Sequence, residues 1–207
     1  MSAFPTFSLR SYAQIFALAA MVFILSACSP SAEEMQFNGS NISGSNLGAD
    51  LTMVDGEGNL RTLESFSGKV VVVFFGFTQC PDICPTALSQ LAAAMELLGN
   101  DADKVQVLLI TVDPERDTPE IIAEYVRAFD ERFLGLTGSP AQLHKTAQSF
   151  KAFYAKVPGP TPEQYTMDHS SSFYILDGKG EARVLLRGDA TPEEISQDIK
   201  QLLPTAS

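Results

Sequence analysis

The sequence predicts an α/β fold in which a mixed central sheet is flanked by helices. Two runs rich in β-branched and aromatic residues, 70–75 and 105–112, carry no charge and have the length of strands covered on both faces. Each is followed by a segment of helical length, 85–98 and 119–133, so the two strands should be parallel with right-handed crossovers. Near the C-terminus two more apolar runs, 171–176 and 182–186, flank Asp177-Gly178-Lys179-Gly180, a hairpin signal.

In chain order, residues 51–54 and the turn Asp55-Gly56-Glu57-Gly58-Asn59 form a small hairpin that opens the domain, because Gly and Asn supply tight-turn conformations. The first central strand leads into the helix at 85–98. The second leads into the helix at 119–133, which Thr118 caps and Pro119 begins. A helix over 141–153 carries Leu143, Ala147 and Phe150 on one face. Pro158, Pro160 and Pro162 then mark a loop before the late hairpin, and a last helix covers 192–203. The order β-α-β-α, hairpin, α is the plan of a thioredoxin-like fold, whose hairpin strands run antiparallel to one of the central pair.

The 207 residues, 45% hydrophobic and 19% charged, suit one globular domain with an appendage. A net charge of −11 argues against a nucleic-acid partner, whose phosphates need a basic surface. The appendage is N-terminal. Residues 15–25 read IFALAAMVFIL, preceded by Arg10 and followed by Ser26-Ala27-Cys28, which has the form of a secretion signal. As a helix the run spans roughly 16 Å, short against a hydrocarbon core of about 30 Å. Leu25-Ser26-Ala27-Cys28 resembles the lipobox of bacterial lipoproteins, which implies a signal peptide at 1–27 and a lipidated Cys28. Residues 29–48, rich in Ser, Asn and Gly, read as a flexible continuation, so 28–48 is expected to be lipidated cysteine and tether, and 49–207 the folded domain. The expected location is extracytoplasmic, on the periplasmic side, lipid-anchored to the membrane.

Cys80-Pro81-Asp82-Ile83-Cys84-Pro85 sits where the first central strand ends and its helix begins, the usual place for a site in an open α/β sheet. The prolines steer each cysteine away from helical angles, so both should lie on a loop. Cys84 should fall near the helix N-cap, where the dipole favours a thiolate and an unusually acidic thiol. Such a pair can close a disulfide or grip a soft metal ion. Of the two histidines, His169 precedes an antiparallel strand that starts at the same sheet edge and so should face the thiols, whereas His144 lies on the helix of Leu143 and Ala147. Two sulfurs and an imidazole suit copper, and zinc is also compatible with them.

Three motifs resemble the Sco/SenC family of copper-binding proteins: Gly76-Phe77-Thr78 with Cys80 through Pro85, then Val112-Asp113-Pro114-Glu115-Arg116-Asp117-Thr118, then Asp168-His169-Ser170. The resemblance covers about residues 51–203. It implies a metallochaperone more than an enzyme, with copper held by Cys80, Cys84 and His169. It further implies support of copper delivery to the CuA-bearing subunit of cytochrome c oxidase; exchange with other copper chaperones is compatible with that role. Asp168 is a candidate acceptor for the His169 ring N–H, or a turn residue. In the 113–118 loop, Arg116 is expected to pair with Asp113 or Asp117. The rivals are a thiol-disulfide reductase acting through Cys80 and Cys84, and a redox or copper sensor.

Overall fold

The computed structural model describes residues 35–161 and 164–204. Its centre is β4 (Val70–Gly76), every residue of which is buried. It pairs in parallel with β5 (Val105–Thr111), and β5 in parallel with β6 (Leu134–Leu136). On its other side β4 pairs antiparallel with β9 (Phe173–Leu176), and β9 with β10 (Ala182–Leu186). β1 (Ser40–Asn41) closes that edge, so the six-stranded order is β1-β10-β9-β4-β5-β6. This is the expected thioredoxin-like plan, with the late hairpin antiparallel to the central strand.

Side chains alternate across β4. Phe74 packs on Phe173 on one face, with α1 (Ile83–Leu98) and α4 (Pro192–Leu202) packed together to cover that side. Phe75 packs on the other face against Tyr174 and Phe150, the last residue of α3 (Pro140–Phe150). Burial of Ala87, Leu91, Ala94 and Leu98 along one stripe explains why α1 docks where it does. Three helices begin with hydroxyl-proline pairs. Thr118, Ser139 and Thr191 each accept a first-turn N–H, and the following proline occupies a position whose N–H would have no intrahelical acceptor.

The structure departs from the sequence reading at several boundaries. α2 (Pro119–Arg127) ends six residues before the expected 133. There the Asp130 carboxylate accepts the Arg132 N–H at 2.9 Å, offering the backbone a turn in place of another helical bond. The chain then enters β6, which was not expected. A Cβ on Gly135 would lie 2.6 Å from the Ile122 carbonyl oxygen, so glycine is what lets α2 rest directly on this strand. A second unexpected feature is a ribbon of β7 (Tyr154–Val157) and β8 (Thr166–His169), which places His169 opposite Tyr154. Between them, β2 (Thr52–Val54) and β3 (Leu60–Thr62) form the early hairpin as expected.

That hairpin does not open the domain. The backbone N–H groups of Asn38 and Gly39 donate to the buried Asp198 carboxylate at 2.8 and 2.9 Å, β1 pairs with β10, and Leu47 packs on the core. The compact unit accordingly begins at Phe37, so the later part of the expected 28–48 tether belongs to the folded body. Cys28 and the 15–25 run lie outside the described residues. Among the described residues no helix is long and apolar enough to cross a membrane.

Candidate metal centre

Three elements converge at the C-terminal end of β4. Cys80 lies on the loop leaving that strand, with its N–H bonded to the Phe77 carbonyl at 3.3 Å. Cys84 lies in the first turn of α1, two residues past the Asp82 N-cap, and its N–H points at the Cys80 sulfur at 3.4 Å. This corrects the expectation that both cysteines sit on a loop. Pro85 is tolerated inside the first turn, where N–H groups have no carbonyl partner anyway. His169 ends β8, with Nε2 3.5 Å from the Cys84 sulfur.

The donor atoms of Cys80, Cys84 and His169 all lie within 4.8 Å of one another. Donors sharing one ion through bonds of about 2.0–2.3 Å are separated by roughly 3.5–4.6 Å, so little movement is needed to close around a metal. Two thiols and an imidazole form a soft, mixed set compatible with copper or zinc. Both cysteines are free thiols, Cys80 half-buried and Cys84 fully buried. His144 is exposed on α3 and is not part of this group.

The imidazole is held in one tautomer. Nδ1 lies 3.0 Å from the Ser170 carbonyl, which can only accept, so Nδ1 carries the proton and Nε2 presents its lone pair to the thiol. Ser170, not Asp168, therefore supplies the orienting acceptor. Neighbours on a strand point to opposite faces, and Asp168 is exposed while His169 is half-buried. Edge contacts from Phe74 and Phe77, with ring centres 6.0 and 5.8 Å away, fix the plane of the ring.

Burial shapes both ionisations. It pushes the Cys84 thiol far up, against the expectation of an acidic thiol at a helix start, because desolvation of the anion outweighs the dipole. Cys84 therefore holds a proton that it can share with Nε2, and a metal must displace it. Burial also lowers the His169 pKa below 6.5, opposed by the Ser170 carbonyl and the Asp168 charge. With the folded pKa depressed, the unfolded chain takes up this proton first. The His169 contribution to stability is thus complete above about pH 6.5 and is lost as the pH falls toward the depressed value. Urea unfolding of the metal-free protein should show stability falling between pH 7.5 and 5, and His169→Asn should flatten that slope. A variant with the parent's slope would assign the pH dependence to other groups.

Two residues under the site, both within the sequence motifs, have roles that the motifs did not assign. Asp117 is fully buried and accepts from the Thr78 N–H at 3.1 Å, the Thr78 hydroxyl at 2.5 Å and the Thr111 hydroxyl at 2.5 Å. It ties the loop of Cys80 to β5, while Arg116 pairs with Asp113 as expected. Gly76 is the second, since a Cβ there would lie 2.9 Å from the Cys84 sulfur. The sequence offered Asp117 only as an alternative partner for Arg116, and its bonds go instead to Thr78 and Thr111.

Comparison with known proteins matches residues 39–204 to the SCO1/SenC family model. A SCO2-like protein of Rickettsia felis is 36% identical over 155 residues, covering 74% of this chain and 76% of the relative. The structure of Bradyrhizobium japonicum ScoI with copper bound is similar at 39% identity and a TM-score of 0.69, covering 74% of this chain and 97% of that one. BsSco, a member of the Sco family of cytochrome c oxidase assembly proteins in which a disulfide switch was identified, is similar at 25% identity and a TM-score of 0.63, with 83% and 100% covered.

Proposed function

The chain belongs to the SCO1/SenC family, and from that premise we propose that it carries copper on Cys80, Cys84 and His169 and delivers it to the CuA-bearing subunit of cytochrome c oxidase. The observation that carries this reading is the convergence of two sulfurs and one unprotonated imidazole nitrogen within 4.8 Å at the end of the central strand. Copper bound to similar proteins supports the choice of metal, as in the Bradyrhizobium japonicum structure. Copper here is cargo. The fold's part is to hold the imidazole in its Nε2-free tautomer, to keep the Cys84 thiol out of water, and to leave Cys80 partly open, where an incoming ligand can reach the site.

The anchor belongs to the same reading. Lipidation at Cys28 after removal of residues 1–27 would hold the domain on the outer face of a membrane, within reach of a membrane-bound oxidase. A lipidated protein carries more than one acyl chain when it is to stay anchored. Cys28→Ala should yield unlipidated protein whose domain still binds copper, and lipid persisting in that variant would sink the anchor.

A second reading, thiol-disulfide reductase, is favoured by one observation: the Cys84 N–H already points at the Cys80 sulfur, 3.4 Å away. A thioredoxin-type reductase places two residues between its cysteines and a cis-proline facing them, whereas here three intervene and His169 faces the thiols. The deciding experiment is anaerobic copper titration of the reduced protein, followed by assay of the CuA signal in oxidase from cells lacking it. One copper per chain with a thiolate-to-Cu(II) absorption band, and oxidase deficient in CuA, are expected. No copper uptake together with efficient reduction of a partner disulfide would establish the reductase.

A further inference from the structure

Arg116 joins three segments that the metal-site geometry leaves otherwise independent. It leaves the 113–118 loop, where its Nε is ion-paired with Asp113. Its Nη1 donates to the Gln79 side-chain oxygen at 3.0 Å, one residue before Cys80, and to the Tyr165 carbonyl at 3.1 Å, one residue before β8, the strand that His169 ends. The guanidinium lies 3.7 Å above the Tyr165 ring, whose hydroxyl returns to Asp113 at 2.8 Å. A planar fork that bonds two acceptors while stacking on a ring is geometry that arginine provides and lysine does not.

We propose that Arg116 and Tyr165 are positioning residues that clamp the strand of His169 against the loop of Cys80, and so set how strongly the site holds Cu(II) relative to Cu(I). The inference rests on the copper reading above. Cys80 and Cys84 are fixed independently of the clamp, by the Asp117 bonds to Thr78 and by the first turn of α1. His169 instead sits on a two-stranded ribbon outside the main sheet. Opening the clamp therefore moves the imidazole and spares the thiols. Thiolates by themselves satisfy Cu(I), whereas Cu(II) gains from the imidazole nitrogen, so the two oxidation states respond unequally. Among the described residues Arg116 Nη2 is buried without a hydrogen-bond partner, so the guanidinium is committed to the clamp through Nε, Nη1 and its face.

The test compares the full reduced chain with Arg116→Lys, Tyr165→Leu and Gln79→Ala. The last variant touches an exposed residue and leaves the packing of the fold intact, so the comparison survives if either of the others fails to fold. Affinities for Cu(II) and Cu(I) are measured separately, with electron paramagnetic resonance of the Cu(II) form. Arg116→Lys and Tyr165→Leu should each weaken Cu(II) about 10–100-fold, the range for partners that orient metal ligands, and alter the copper hyperfine splitting. Gln79→Ala should shift Cu(II) in the same direction by a smaller factor, and Cu(I) affinity should be unchanged in all three. Equal weakening of both oxidation states, or Cu(II) binding and spectra like the parent's, would overturn the clamp. A parent protein that binds no copper in either state would instead overturn the copper reading, and the clamp with it.

Discussion

His169→Ala is expected to bind Cu(II) at least about a hundredfold more weakly than the parent, since loss of a ligand must cost no less than loss of the groups that orient one. Cys84→Ser should go further and abolish binding of both oxidation states. Serine keeps the volume of the buried side chain but removes the soft donor that lies 3.5 Å from Nε2. The two variants separate the chemistries available to the site. His169→Ala leaves both sulfurs in place, so the Cys80–Cys84 disulfide should still form on oxidation, while Cys84→Ser cannot form it. Titration with thiol counting checks both. Parental copper affinity in His169→Ala would remove the imidazole from the site and leave a dithiol centre.

The largest effect on stability is expected at Asp117. Removing its carboxylate in Asp117→Ala leaves the Thr78 N–H and the Thr78 and Thr111 hydroxyls without their buried acceptor. A buried donor left without its acceptor costs about 1–3 kcal/mol where water cannot reach it, a large part of the stability of a domain this size. Asp117→Asn keeps an acceptor oxygen in the same place and should cost less than half as much. Urea denaturation of the metal-free protein measures both. If Asp117→Ala unfolded at the parent's midpoint, water would be meeting these donors and the network would have no structural weight. The same variant should loosen the loop of Cys80, because Thr78 is two residues from that cysteine and loses both of its bonds to Asp117, through which it is tied to Thr111 of β5.

Much of the sheet could be read from local pattern because its central strands are uninterrupted apolar runs. β4 and β5 announce themselves by composition, and β9 and β10 by the Asp177–Gly180 turn between them. β6 could not be read in this way: Leu-Gly-Leu is too short to show a period, and it becomes a strand because β5 offers it hydrogen bonds and Gly135 admits α2. β1 escaped for the same reason, since its partner β10 lies far away in the chain, and the four-residue strands of the β7–β8 ribbon are too short to show a period. The helix boundaries failed at α2, which ends at Arg127 and gives way to a turn in which the Asp130 carboxylate accepts the Arg132 N–H, although the apolar pattern continued.

The sequence by itself determined which atoms do the chemistry: two thiols on either side of a helix start and one histidine placed, by the order of strands, at the same edge of the sheet. Residue type and element order suffice for that, because a strand's direction decides the end at which its flanking residues emerge. Only the tertiary structure decided how those atoms behave. Enclosure turned the expected acidic Cys84 into a thiol that holds its proton, and the path of the backbone made the Ser170 carbonyl, not Asp168, the group that sets the imidazole tautomer. Solvation and orientation depend on everything packed around a group, and distant segments supply most of that packing.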